Sequence, residues 1–155
     1  MKNLFLLLLL SPFFTQAQNT TIDLKSYGLN ATLSNPDNYE YTVTKSTEDG
    51  TTVYSISLNN NVIKVNDYPK PITAKQIMNI YLGMPKTKSK SSTFKILDKG
   101  PNKMILEANY SGSVRYTFFY SVAAKGKQIV VEGTSKVDLE TCKMLQKIGE
   151  SFKLN

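Results

Sequence analysis

Hydrophobic residues recur at every second position in short runs along most of the chain. The clearest run places Val114, Tyr116, Phe118, Tyr120 and Val122 on one parity. Because successive side chains of a strand point to opposite faces of a sheet, this period of two predicts a strand with one face in the core. We therefore expect a domain rich in strands.

Weaker runs with the same period predict further strands on both sides of this one. They cover residues 39–43, 54–58, 62–65, 94–97, 104–110 and 128–135. Turn-forming residues separate them, such as Asp49-Gly50 and Lys125-Gly126. The four runs from Phe94 to Ser135 predict a continuous antiparallel meander, since only short turns connect them.

Between Ile22 and Leu33, before the first of these runs, the apolar residues change from one parity to the other. The change falls at Tyr27-Gly28. A glycine within a strand pattern often marks a β-bulge, which restores the facing of the side chains. We therefore expect one bulged strand here.

Two segments have the period of a helix. The first, Thr73 to Leu82, begins with Thr73 and Gln76 at the spacing of a capping box. The second, Asp138 to Gly149, has Asp138 as its expected N-cap. Its apolar stripe consists of Leu139, Cys142, Leu145 and Ile148. We expect this stripe to pack on the sheet and Gly149 to end the helix.

Together these elements predict the α+β class. The expected architecture is a twisted, mainly antiparallel sheet of about six to eight strands with the two helices packed on it.

The first residues have the pattern of an export signal. A lysine precedes an apolar run from Leu4 to Leu10, and small residues occupy Thr15 and Ala17. The apolar stretch is shorter than the roughly 20 residues that a membrane-spanning helix needs. We therefore expect a signal peptide at 1–17, cleavage between Ala17 and Gln18, and a single domain at 18–155. The expected location is secreted or periplasmic, with no membrane span once the signal is removed.

The order of elements resembles that of the PsbP-like superfamily. The resemblance rests on Tyr27-Gly28-Leu29 before a turn that contains a proline, and on Ser151-Phe152-Lys153-Leu154 after the last helix. It implies a central antiparallel sheet flanked by helices, in a small exported protein that serves as an accessory subunit or binding module. The chain departs from the family in lacking tryptophan, and Tyr39 stands near the position where members carry one.

The composition excludes several classes of catalytic site. The chain has no histidine, so Ser-His-Asp and Cys-His catalysis are excluded. Cys142 is the one cysteine, and on an apolar helix stripe we expect it to be inert and structural. Glu107 and Glu132 fall on predicted strands and could face each other as a carboxylate pair, but a solvated sheet surface is the better interpretation. We expect no enzymatic activity, no cofactor and no metal.

Charge and tyrosine content supply the candidates for binding. Removing Lys2 with the signal leaves 18 basic and 12 acidic residues, a net charge of +6. The candidate partner-binding residues are Tyr39, Tyr41, Tyr54, Lys86, Lys88 and Lys90. Tyrosines can line a groove or a contact face, and lysines can attract an anionic surface, although strand packing and solubility explain both features as well.

We therefore expect a non-enzymatic exported accessory or binding protein that acts through a surface or groove. Its partner would be a protein or an anionic surface, and nucleic acid is a poor partner for an exported chain. One alternative is a carrier that holds a small apolar ligand between helix and sheet. Another is an immunity-type inhibitor of a secreted toxin, which would present a complementary charged face.

Overall fold

The computed structural model describes residues 20–70, 72–83 and 92–155. These residues form ten strands, one 3-10 helix and two α-helices. In chain order they are β1 (Thr21–Asp23), the 3-10 helix (Lys25–Tyr27), β2 (Ala31–Ser34), β3 (Tyr41–Glu48), β4 (Thr51–Leu58), β5 (Asn61–Asp67), α1 (Ala74–Gly83), β6 (Ser92–Lys99), β7 (Lys103–Tyr110), β8 (Ser113–Ala124), β9 (Lys127–Ser135), α2 (Leu139–Glu150) and β10 (Lys153–Leu154).

Seven strands form one open antiparallel sheet in the order β3-β4-β5-β9-β8-β7-β6. The meander β6 to β9 is present as predicted, and it returns to place β9 beside β5. A second sheet of three strands has the order β1-β2-β10. The predicted α+β class, with a mainly antiparallel sheet and two helices, is confirmed.

The hairpins β3–β4, β7–β8 and β8–β9 close through tight two-residue turns that contain glycine. In the β3–β4 turn, Asp49 and Gly50 have φ angles of 50° and 78°. Positive φ at both central residues gives a twist that matches the flanking strands, and glycine adopts it without strain. Ser111-Gly112 and Lys125-Gly126 close their hairpins in the same way. The turn residues therefore fix the register of these strands.

The expectation of one bulged strand between Ile22 and Leu33 is wrong. The chain instead turns back through the 3-10 helix, so that β1 and β2 form a hairpin in which Ile22 pairs with Leu33. Both side chains are buried. The change of parity arises because two strands are present, and Gly28 serves the turn with a φ of 96°.

Both helix starts follow the sequence signals. Thr73 N donates to Gln76 Oε1 at 2.7 Å, and Gln76 N donates to Thr73 Oγ1 at 3.2 Å, which is the predicted capping box. Asp138 Oδ1 accepts from Thr141 N at 2.7 Å, and this hydrogen bond lowers the pKa of Asp138. No helix among the described residues is long and apolar enough to cross a membrane.

The seven-stranded sheet has apolar contacts on both faces. On one side, named here the α2 face, α2 and the three-stranded sheet cover the larger core. Buried Cys142, Leu145 and Ile148 of α2 pack there, as their spacing predicts. On the other side, the α1 face, Ile77 of α1 packs in a smaller cluster with Phe119. Polar side chains occupy much of the rest of the α1 face.

Candidate functional site

A groove with a volume of about 520 Å³ lies on the α1 face, beyond the smaller apolar cluster. Strands β5, β8 and β9 supply its floor. It forms there because the strand residues facing this side are mostly polar or charged, in contrast to the buried residues of the α2 face. This basic groove is the candidate functional site.

The register of the sheet brings residues that are distant in sequence together in the groove. Lys64 of β5 pairs with Glu132 of β9, which in turn pairs with Phe119 of β8. Nearby, Thr117 pairs with Thr134, and their hydroxyl oxygens are 2.9 Å apart. The two threonines thus form an uncharged bridge across the middle of the floor.

Three cationic side chains line the groove: Lys64, Arg115 and Lys136. All three residues are exposed, and none makes a salt bridge within the described parts of the chain. The salt bridges that are present, such as Lys103–Glu150 at 2.8 Å, lie elsewhere. The groove therefore carries positive charge that is not neutralised by direct contact.

The Arg115 guanidinium is held at one end of the groove by an aromatic ring. Its central carbon lies 5.5 Å from the centre of the Tyr110 ring, within the range of a cation–π interaction. Phe94 contacts the same ring edge to face, with 5.6 Å between the ring centres. This arrangement orients Arg115 toward β7, away from β9 and β5.

Glu132 is the carboxylate among the groove's lining residues. It is half-buried, and burial raises its pKa, while the charge of Lys64 and a hydrogen bond from Asn66 act in the opposite direction. Asn66 is itself buried and donates to Val130 O at 3.2 Å. The charge of Glu132 also adds to the effect of burial in raising the pKa of Tyr68.

Exposed aliphatic side chains also line the groove. Val62 is 39% exposed and Val137 is 79% exposed. Exposed apolar side chains beside unpaired cations are suited to a ligand that carries both anionic and apolar groups. The groove thus offers charge, hydroxyl groups and apolar contact in one place.

The tyrosines predicted from the sequence lie on the opposite side of the sheet. Tyr54 is 3% exposed and belongs to the core of the α2 face, with Lys45 Nζ 5.6 Å from its ring centre. Tyr39 and Tyr41 are half-buried against the same core. Asn35 fixes the backbone at Tyr39 by hydrogen bonds of 2.9 Å and 3.0 Å. These residues are brought together by packing and do not enter the groove.

The remaining predicted site residues lie outside the described ranges. They are the loop lysines Lys86, Lys88 and Lys90 and the cleavage-site residues Ala17 and Gln18.

The two glutamates considered as a carboxylate pair do not face each other. Strand β8 separates their strands: Glu107 pairs with Tyr116 of β8, whereas Glu132 pairs with Phe119. Since Tyr116 and Phe119 differ in parity, the two carboxylates point to opposite faces of the sheet. The expectation that they could face each other is wrong, and the register excludes a shared catalytic site for them in this fold.

Cys142 is fully buried, as its position on the apolar stripe predicts. Burial raises the pKa of its thiol to about 11. A thiol with this pKa carries very little thiolate near neutral pH, so its contribution is to packing.

A second cleft of about 450 Å³ lies between α2 and strands β6 and β7. This is where a carrier of an apolar ligand would hold it. Leu97, Ile105 and Leu139 supply apolar surface there. However, Lys103 Nζ donates to Glu150 Oε1 at 2.8 Å at the margin of the cleft. The cleft therefore has a charged rim, and this ion pair neutralises part of its positive charge.

Sequence reasoning missed the basic groove because its residues come from three strands. One signal was available: Arg115 is the single arginine of a chain whose other basic residues are lysines. Lys64 and Lys136 have no distinguishing sequence context, and only the pairing of β5, β9 and β8 brings all three cations to one groove.

No protein-family model matches the chain, and no curated protein matches it significantly.

Proposed function

We propose that this chain is a non-enzymatic exported binding protein whose basic groove receives an anionic partner. The observation that carries the proposal is the set of three exposed cations, Lys64, Arg115 and Lys136, that line one groove without a salt bridge in the described part of the chain. Positive charge concentrated in a groove attracts anionic ligands and speeds their encounter with the site.

Export and family remain parts of this proposal. The N-terminal pattern supports a signal peptide and a secreted or periplasmic location. The element order supports kinship with the PsbP-like superfamily, because a helix follows the first strands and a second helix follows a four-stranded meander. An immunity-type inhibitor would be a special case of the same function, with the groove as its complementary charged face.

The test is binding of a fluorescent decaglutamate peptide to three forms of the protein. One variant replaces Lys64, Arg115 and Lys136 by Gln. The matched control replaces Lys25, Lys75 and Lys153 by Gln, at exposed positions outside the groove. Both variants lose three positive charges, so any difference between them reports the location of binding and not the net charge.

We expect the groove variant to bind at least tenfold more weakly than the control variant at about 50 mM salt, where screening is modest. Equal affinities of the two variants would contradict the proposal, because attraction to the overall charge would then explain the binding. Absence of binding to the unmodified protein would contradict it as well.

A further inference from the structure

The positive charges of the basic groove lie at two separate ends. Lys64 shares a cross-strand row with Phe119, and Arg115 lies four residues from Phe119 along β8. Four residues of a strand cover about 13 Å, and the two strand spacings from β5 to β8 add about 10 Å across the sheet. The Cα atoms of Lys64 and Arg115 are therefore roughly 16 Å apart.

The side chains do not close this gap. The Arg115 guanidinium leans over Tyr110 of β7, on the side of β8 that faces away from β5. Lys64 at the other end lies close enough to Glu132 to influence its pKa. Because the Arg115 guanidinium leans away from β5 across a Cα separation of roughly 16 Å, one small anion does not contact both cations. A ligand that engages both ends needs two anionic groups.

The middle of the floor between the two ends is uncharged, whereas Glu132 lies beside Lys64 at its end of the groove. The hydroxyl bridge of Thr117 and Thr134 lies there, with Val62 on the neighbouring strand. A complementary ligand has a neutral, partly aliphatic centre between its charges. In an extended peptide, residues i, i+2 and i+4 point to the same side, and four residues span about 13 Å. This is about 3 Å less than the Cα separation of Lys64 and Arg115, a difference that the two flexible carboxylate side chains have to bridge.

From this spacing we infer that the partner is a protein that presents an extended acidic segment, with carboxylates at i and i+4 and an aliphatic residue at i+2. Arg115 and the adjacent Lys136 receive one carboxylate, Lys64 receives the other, and Val62 contacts the aliphatic side chain. This inference rests on the proposed function and adds the chemical class and the spacing of the ligand.

Three nonapeptides test the spacing, of which the first two have the same composition and the third is an uncharged control. The first carries Glu at positions 3 and 7 with Val at position 5. The second contains the same residues with the two Glu adjacent, and the third replaces both Glu by Gln. Each is titrated into the unmodified protein, into Arg115→Gln and into Lys99→Gln, the last being an exposed control outside the groove.

We expect the spaced peptide to bind at least tenfold more tightly than the adjacent one. Arg115→Gln should abolish this preference, and Lys99→Gln should preserve it. Equal affinity for the spaced and adjacent peptides would overturn the inference, as would an equally large preference in Arg115→Gln. Tighter, Arg115-dependent binding of a sulfated polysaccharide would also overturn it, since the groove would then be a site for anionic sugars.

The decaglutamate experiment distinguishes this failure from failure of the proposed function. If decaglutamate binding depends on the groove residues while the two dicarboxylate peptides bind equally, the anion-binding function stands and the spacing is wrong. If decaglutamate binding does not depend on the groove residues, both are wrong.

Discussion

Gly149 of α2 lies against the ring of Phe118 in β8. A Cβ atom added at Gly149 would stand 2.5 Å from Phe118 Cε2 and 2.7 Å from Cζ. Gly133, the cross-strand neighbour of Phe118, approaches the ring from the sheet, and a Cβ there would stand 2.5 Å from Cε1. The fully buried phenyl ring therefore occupies space that two absent side chains leave open.

Gly149→Ala should destabilise the protein by about 1–3 kcal/mol, because the added methyl group overpacks the core. The sign of the change in unfolding free energy is informative, since the same substitution in an exposed helix interior would stabilise the protein by about 1 kcal/mol. Chemical denaturation measures the free energy of unfolding. The double variant Gly149→Ala, Phe118→Leu should lose less stability than the two single changes together, and strict additivity would contradict the contact.

Cys142 provides a test of the packing of α2. Cys142→Ala should cost about 1 kcal/mol, and Cys142→Asp several times more, because it buries a charge that has no partner. A thiol reagent at pH 8 should label the native protein slowly and the denatured protein fast. Rapid native labelling, together with tolerance of Cys142→Asp, would mean that the apolar stripe of α2 is exposed.

The raised pKa of Cys142 also predicts an effect of pH on stability. The native thiol holds its proton up to a pKa of about 11, whereas the ordinary pKa of a cysteine thiol is 9.0. Between these values the unfolded chain loses this proton first, so the contribution of the thiol to stability is present below pH 9 and is lost as pH rises toward 11. The unmodified protein should therefore lose stability relative to Cys142→Ala over this range, and a constant difference would contradict the assignment.

The pH dependence of stability that Glu132 contributes should be opposite in sign to that of a typical surface carboxylate. Burial raises its pKa above the ordinary value of 4.5, so protonation of Glu132 favours the folded state. Its contribution to stability is present below pH 4.5 and is lost as pH rises through its native pKa. Glu132→Gln should therefore gain stability relative to the unmodified protein between pH 4 and pH 7. Glu40→Gln, at an exposed position before β3, is the control and should show a smaller gain.

Processing of the N-terminus is a separate prediction from the sequence. Mass spectrometry of the exported protein should give a chain that begins at Gln18, with or without cyclisation of that residue. Recovery of mature protein that starts at Met1 would contradict the signal peptide.

The sequence was sufficient to predict those elements whose signals are local. The capping box at Thr73, the N-cap at Asp138 and the glycine-containing turns each depend on residues within a few positions of one another, and each is confirmed. The role of Gly149 was not predictable in this way. We expected it to end the helix, but α2 continues to Glu150, and Gly149 instead permits close approach to Phe118.

The groove was beyond sequence reasoning for the same physical reason. The pairing of β5 with β9 decides which lysine joins Arg115 on one face, and this pairing joins residues about 70 positions apart. The sequence showed which residues of a strand share a face, but it did not show which strand lies next to it in the sheet. The sequence could not show whether Tyr39 and Tyr41 pack on the core or form a contact face, because tyrosine is favoured on half-buried strands in both cases.

The most direct test of the central claim is to map the bound decaglutamate onto the protein by chemical-shift changes in backbone amide NMR spectra. Binding through the basic groove predicts that the largest changes cluster at Lys64, Arg115, Thr117 and Thr134, and that they disappear in the variant lacking the three groove cations. Changes centred instead on Tyr39 and Tyr41, or on Lys86, Lys88 and Lys90, with the groove amides unmoved, would contradict it.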